Sequence, residues 1–183
     1  DKTIFSNIFD NVARSCHYNH GSALGFGAQN GFAATVSTVK TFGYRTKDVD
    51  PRYYMNFYSD TIRVDGVPVR LDDGGLLAYY PLEIKLDVSG SPYEKTAGAR
   101  MYKYQNDETK AQRNDIVLFR FADALLMKAE ALYRNGKDGL AFLNEVRERV
   151  GASPIKSIDD YISPVTGKKA TVKGQCILDE RLR

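Results

Sequence analysis

Asp123 and Glu130 are the carboxylates whose spacing most invites a chemical reading. They stand seven residues apart in a stretch that reads as helix, so they share one face with Arg120 and Met127. Two carboxylates on a common face are the raw material of general acid–base catalysis. The same residues also fit an architectural role. Asn144 and Arg147 share a face of the next helix, and Arg120 and Arg147 would neutralise Asp123 and Glu130 across a helical hairpin. A buried carboxylate without a partner is costly, and a bidentate guanidinium is the common remedy. No cleft-forming loop adjoins these positions. The expectation is therefore structural for Arg120, Asp123, Glu130, Asn144 and Arg147, with no catalytic residue.

Residues 14–31, RSCHYNHGSALGFGAQNG, hold both histidines of the chain in a glycine-rich loop. His17 and His20 lie three residues apart without a third ligand nearby, so a solvated pair is expected and no metal. Gly25-Phe26-Gly27 looks like the opening of a nucleotide fingerprint but lacks the third glycine and a preceding apolar strand. Motifs of serine hydrolases, zinc proteases, P-loops and paired cysteines are absent from the sequence. Cys16 and Cys176 have no partner at metal-ligand spacing, and packed thiols are expected. No cofactor is expected.

The elements that must position these residues belong to a chain of 183 residues, enough for one domain with a real core. Apolar residues at 43% and charged residues at 27% exclude global disorder. A net charge of +3 is too balanced for a nucleic-acid binder. No apolar run approaches the roughly 20 residues that span a bilayer. The chain opens on Asp1-Lys2-Thr3 without an initiator Met and stops inside a helical pattern at Arg183, so it is expected to be a piece of a longer protein.

Residues 1–10 suggest a short strand, and residues 33–42 a short helix with Val36, Val39 and Phe42 on one side. Pro51 marks a turn or a helix start. Tyr54–Tyr58 and Thr61–Val64 read as strand, with Asp65-Gly66 turning into Val67–Leu71. The strongest signal is residues 115–151. Asp115 is placed to cap a helix running from Ile116 to Tyr133, with Phe121, Leu125, Ala129 and Leu132 as its apolar stripe. Asn135-Gly136 ends it, Asp138 caps a second helix, and Gly151 stops that one. This is an αα-hairpin with tetratricopeptide-like spacing.

The helix Arg120-Phe121-Ala122-Asp123-Ala124-Leu125-Leu126, followed by Ala129-Glu130-Ala131, closely resembles the signature helix of the SusD/RagB family. Asn144-Glu145-Val146-Arg147-Glu148-Arg149 is similar to its next element, and Ile177-Leu178-Asp179-Glu180-Arg181 to the start of a later helix. Thr3-Ile4-Phe5, Asp50-Pro51-Arg52 and Lys103-Tyr104 occur upstream in the family's order.

The resemblance implies a mainly α fold of tetratricopeptide-like hairpins with long loops and a few short strands. On that reading 1–183 is one partial SusD-like domain. It comprises a loop-rich part at 1–114, the hairpin at 115–151 and a connecting segment with a helix start at 152–183. The resemblance further implies a non-enzymatic lipoprotein on the outer surface of the outer membrane of Bacteroidetes. Such proteins bind glycans and deliver them to a SusC-like TonB-dependent transporter. On this reading the lipid-anchor cysteine, the first hairpins and the C-terminal end of the family are expected to fall outside residues 1–183.

A glycan offers apolar C–H faces and a rim of hydroxyls. Aromatic rings and amide, imidazole or guanidinium groups on loops suit it. Tyr18, Asn19, His20, Asn30, Arg45 and Tyr53 are the expected ligand-binding residues, with packing at the core edge as the other role open to Tyr18 and Tyr53. The alternative function is a helical protein-interaction scaffold that binds no glycan.

Overall fold

The structure, a computed structural model, describes residues 33–70, 74–83, 97–101 and 117–183. The chain divides into two compact units, one of Asp1–Val36 with Tyr54–Ile116, the other of Ser37–Tyr53 with Val117–Arg183. Five helices and six two-residue strands occur among the described residues. Helices take 35% of them, so the fold is more mixed than the mainly α expectation.

In the first unit three antiparallel pairs form. They are β1 (Phe57–Tyr58) with β6 (Arg100–Met101), β2 (Asp60–Thr61) with β5 (Ala78–Tyr79), and β3 (Arg63–Val64) with β4 (Val67–Pro68). The β3–β4 turn puts Asp65 at φ 50° and Gly66 at φ 79°, the two left-handed residues of a type I′ hairpin. Ile62, Leu77 and Tyr79 make a small core. Arg100 is fully buried, its guanidinium 4.9 Å from the Tyr79 ring centroid, and it donates to the Ala97 and Gly98 carbonyls.

Where a strand was expected from Tyr54, a helix runs from Arg52 to Asn56. The cause is local. The Asp50 carboxylate accepts the Arg52 backbone N–H at 3.0 Å and Pro51 presets φ, which together start a helix before aromatic strand propensity takes effect at Phe57. This helix is α2. The preceding helix, α1 (Val36–Thr41), buries Val39, with Phe42 buried just beyond it.

The second unit holds the αα-hairpin. Its first helix, α3, spans Phe121–Arg134 and starts later than expected, with Arg120 extended at its head. Val117 and Phe119 ahead of it are β-branched and aromatic, and no side chain caps the start. The buried face is Leu126 and Ala129, flanked by Ala122, Leu125 and Tyr133. Phe121 is 75% exposed and lies outside that face, as do the exposed Leu118 and Phe119.

The turn out of α3 follows the sequence closely. Lys137 N–H bonds to Leu132 O at 2.9 Å and Gly136 N–H to Tyr133 O at 3.0 Å, with Gly136 at φ 70°. These are the two bonds of a Schellman end. Asp138 then accepts the Leu140 N–H at 2.8 Å and opens α4, Leu140–Glu148. Gly139 lets this start lie against α3, because a Cβ there would meet Ala129 O at 2.3 Å. Leu143 and Val146 of α4 and Cys176 and Ile177 of α5 (Gln175–Leu182) close the core with Tyr161. α5 runs antiparallel to α3, since Arg181 meets Asp123 at one end and Gly174 lies under the Tyr133 ring at the other.

Candidate functional site

The densest set of polar side chains lies inside the second unit. Asp50 receives Arg52 in bidentate fashion, Nε at 2.9 Å and Nη2 at 2.7 Å. Arg52 Nη2 also meets Glu180 Oε1 at 2.7 Å, as an ion pair outside hydrogen-bond geometry. Arg147 Nη1 donates to Glu180 Oε2 at 2.6 Å, and Arg183 Nη1 to the same oxygen at 3.1 Å. Arg183 binds the Thr41 carbonyl through Nε and Nη2 at 2.9 and 2.7 Å. Tyr161 donates to Asp179 at 2.8 Å. Every side chain of the Asp50–Arg52–Arg147–Glu180–Arg183 set is 10% exposed or less.

Burial alone would raise the Asp50 carboxyl, but the hydrogen bond and charge of Arg52 outweigh it and hold it below the ordinary carboxylate range. Burial likewise works against the charged Arg52, while Asp50 and Glu180 raise it. Two carboxylates thus lie among three guanidinia. The cluster is a clasp that ties the Thr41–Arg52 segment to α4 and α5.

The expected pairing of Arg120 and Arg147 with Asp123 and Glu130 is not what forms. Arg147 points inward to Glu180, and Arg120 is exposed with no ion pair among the described residues. Asp123 and Glu130 are instead joined by Arg181 from α5, and Glu130 also by Arg134 at 2.7 Å. The hydrogen bond from Arg134 leads the effects that hold Glu130 below its ordinary value, which makes it a poor general acid near neutrality. Asn144 clamps the backbone of Ile155 from both sides, at 2.9 and 2.8 Å.

Of the expected ligand residues, Tyr18, Asn19, His20 and Asn30 lie outside the described residues, as do His17 and Cys16. Arg45 is exposed in a left-handed conformation at φ 61°, its guanidinium 5.3 Å from the Tyr44 ring centroid. Tyr53 is fully buried against Phe42 and Tyr44, with ring centroids 6.2 and 5.0 Å away, so its ring packs and is not presented to a ligand. Among the described residues no three His, Cys, Asp or Glu side chains gather as a metal site, and no helix is long and apolar enough to cross a membrane.

Two clefts of about 400 Å³ each open at the C-terminal end of α3, on either side of the half-buried Tyr133. One runs along Lys137, Lys156 and Asp159, the other along Arg134, Lys173 and Leu178. The Tyr133 hydroxyl donates to Asp159 at 2.6 Å and fixes the ring between them.

The sequence profile of the SusD family matches residues 33–183. The chain belongs to the SusD family. No curated protein and no solved structure matches it. Proteins of the SusD family are in general non-catalytic binding proteins, work with SusC-like transporters and are typically associated with the outer membrane.

In this SusD-family chain the separated motifs that carried the resemblance turn out to be neighbours. Asp50-Pro51-Arg52, Arg147 and Asp179-Glu180 meet in the clasp, and Asp123, Glu130 and Arg181 meet beside it on the α3–α5 face. Sequence reasoning missed Glu180 and Arg183 as partners. Arg147 and Glu180 stand among other charged residues in the sequence, so nothing local singles them out, and their pairing spans 33 positions.

Proposed function

We propose that this chain captures glycans at the cell surface without turning them over and passes them to a SusC-like TonB-dependent transporter. The parent would be a lipid-anchored protein of the outer membrane of a Bacteroidetes cell. The observation that carries this is the family match across residues 33–183, since that family suggests glycan binding in nutrient uptake. The arginine-held state of Asp123 and Glu130 supports the non-catalytic part of the reading. Tyr18, Asn19, His20 and Asn30 are proposed as ligand contacts on sequence grounds, and the exposed, ring-stacked Arg45 joins them as a donor to sugar hydroxyls.

Affinity electrophoresis through gels containing different polysaccharides tests the reading. Retarded migration in at least one gel, relieved by Tyr18→Ala with Asn30→Ala, is the expected result. Retardation that survives both changes removes the loop residues from the site. Unretarded migration in every gel removes the glycan assignment, and failure to co-purify with a SusC-like transporter removes the delivery step.

A further inference from the structure

The cleft along Lys137, Lys156 and Asp159 has a chemistry of its own. Its volume of about 400 Å³ falls inside the roughly 300–1,000 Å³ range of small-ligand sites. Its charged lining balances, with Lys137 and Lys156 set against Asp138 and Asp159. All four are exposed, and no ion pair among the described residues joins either lysine to either acid. Among the described residues each carboxylate accepts a single hydrogen bond, Asp138 from the Leu140 N–H and Asp159 from the Tyr133 hydroxyl. An ionised carboxylate has about four acceptor sites and an ammonium has three donors, so most of this capacity is left to solvent or to a ligand. The other cleft at Tyr133 differs, because its acid, Glu130, is already held by Arg134 and Arg181.

The walls are set in advance. Lys137 and Asp138 sit on the turn that the Schellman end and the Leu140 cap fix. Lys156 follows Ile155, whose backbone Asn144 clamps. The Tyr133 hydroxyl ties Asp159 to α3, and the Tyr133 ring has the Gly174 backbone so close that a Cβ there would sit 3.4 Å away. A preformed site loses little entropy when a ligand settles in it. The balanced charge gives no selection for an anion or a cation. Separate donors and acceptors beside an aromatic ring suit an apolar frame whose every polar group both donates and accepts. Hydroxyls do that, and a sugar ring carries them around apolar C–H faces.

We propose that this cleft is a subsite for an uncharged sugar unit of a glycan chain. The sugar ring lies against Tyr133. Its hydroxyls donate to Asp138 and Asp159 and accept from Lys137 and Lys156. The inference rests on the glycan reading above and adds a contact, selective for neutral units, that the proposed loop residues and Arg45 do not supply.

Calorimetric titration of the whole chain tests it. The probes are neutral oligosaccharides cut from the polysaccharides that retard the protein in gels, an oligogalacturonate and a zwitterionic dipeptide. At least one neutral oligosaccharide is expected to bind better than the other two probes. Its affinity should change less than about twofold between low salt and about 0.5 M salt, since no ligand charge is there to screen. It should fall about tenfold in Tyr133→Ala, and about tenfold in the charge-balanced double variant Lys156→Ala with Asp159→Ala, while Tyr133→Phe retains binding. Lys156 and Asp159 are exposed, so the double variant should melt near the wild-type temperature, which separates a lost contact from a lost fold. Neutral binding indifferent to Tyr133→Ala and to the double variant overturns the subsite and leaves the glycan reading standing. Preference for the anionic or the zwitterionic probe, or retardation by acidic polysaccharides alone, does the same. Unretarded migration in every polysaccharide gel overturns both.

Discussion

Arg147 and Glu180 meet at 2.6 Å across the interior of the second unit, 33 positions apart in sequence and both nearly closed to solvent. Their pair joins α4 to α5, and Arg52 and Arg183 converge on the same carboxylate. Removing the charge leaves three buried guanidinia around a single remaining acid, Asp50. Breaking a buried pair by deleting one partner typically costs about 3–5 kcal/mol. Glu180→Gln is therefore expected to lower the unfolding free energy by an amount of that order, read as a lower urea midpoint with the slope of the transition unchanged. A midpoint within experimental error of wild type contradicts the clasp.

The surface acids behave differently. Asp123 is 39% exposed and pairs with Arg181, itself 29% exposed. Solvent screens such a pair, and exposed ion pairs are worth about 0–1 kcal/mol. Asp123→Asn is expected to shift stability by less than about 1 kcal/mol. Urea titration of the two variants side by side checks the ordering, and a larger loss in Asp123→Asn reverses it.

Asp50 gives the clasp a pH signature. Its folded-state pKa lies below the ordinary value, so the unfolded chain takes up its proton first. The stability it contributes is complete above the unfolded value of about 3.9 and is lost as pH falls through the lower folded value. Thermal melts between neutrality and strong acid should show a steep decline at the acid end. Asp50→Asn should be less stable near neutrality and lose less on acidification. Parallel pH profiles for the two proteins would remove Asp50 from the acid response.

Cys176 is fully buried, and burial pushes its thiol up to about 11. The thiolate is the nucleophile, so the native protein should leave this thiol unlabelled by a disulfide reagent at pH 8. Unfolding in urea should expose it at once. Rapid labelling of Cys176 in the native state, read by peptide mass, contradicts the packing described.

Gly139 is required by close approach and not by turn conformation. A methyl group there would be driven into Ala129 O, backbone of α3. Overpacking of this kind costs about 1–3 kcal/mol. Gly139→Ala should lower the melting temperature, whereas Gly136→Asn, at an open left-handed position, should cost far less.

What the sequence made legible is local. The Schellman end at Asn135-Gly136, the Asp138 cap and the Asp65-Gly66 turn each depend on residues within a few positions of one another. α3 starts later than the pattern predicts because the apolar run ahead of Phe121 mimics a helical pattern, while Arg120 at the head of the helix is extended; the expected cap Asp115 lies outside the described residues. The stripe was rotated for a related reason. Phe121 is as apolar as Leu126, and only tertiary packing decides which of them is covered. The clasp is hidden because an ion pair across 33 positions, or the hydrogen bonds of Arg183 to the Thr41 carbonyl across 142, leave no trace in spacing. Tyr133 was read as the end of a helix, and its place between two clefts depends on the loop around Asp159.

The central claim is capture of saccharide without turnover. It is tested most directly by incubating the whole chain with the polysaccharide that retards it and assaying bound sugar and new reducing ends in the same sample. The account predicts bound sugar at stoichiometric level and reducing ends no higher than the protein-free control. Reducing ends that accumulate with time, and vanish in Asp123→Asn or Glu130→Gln, would contradict it.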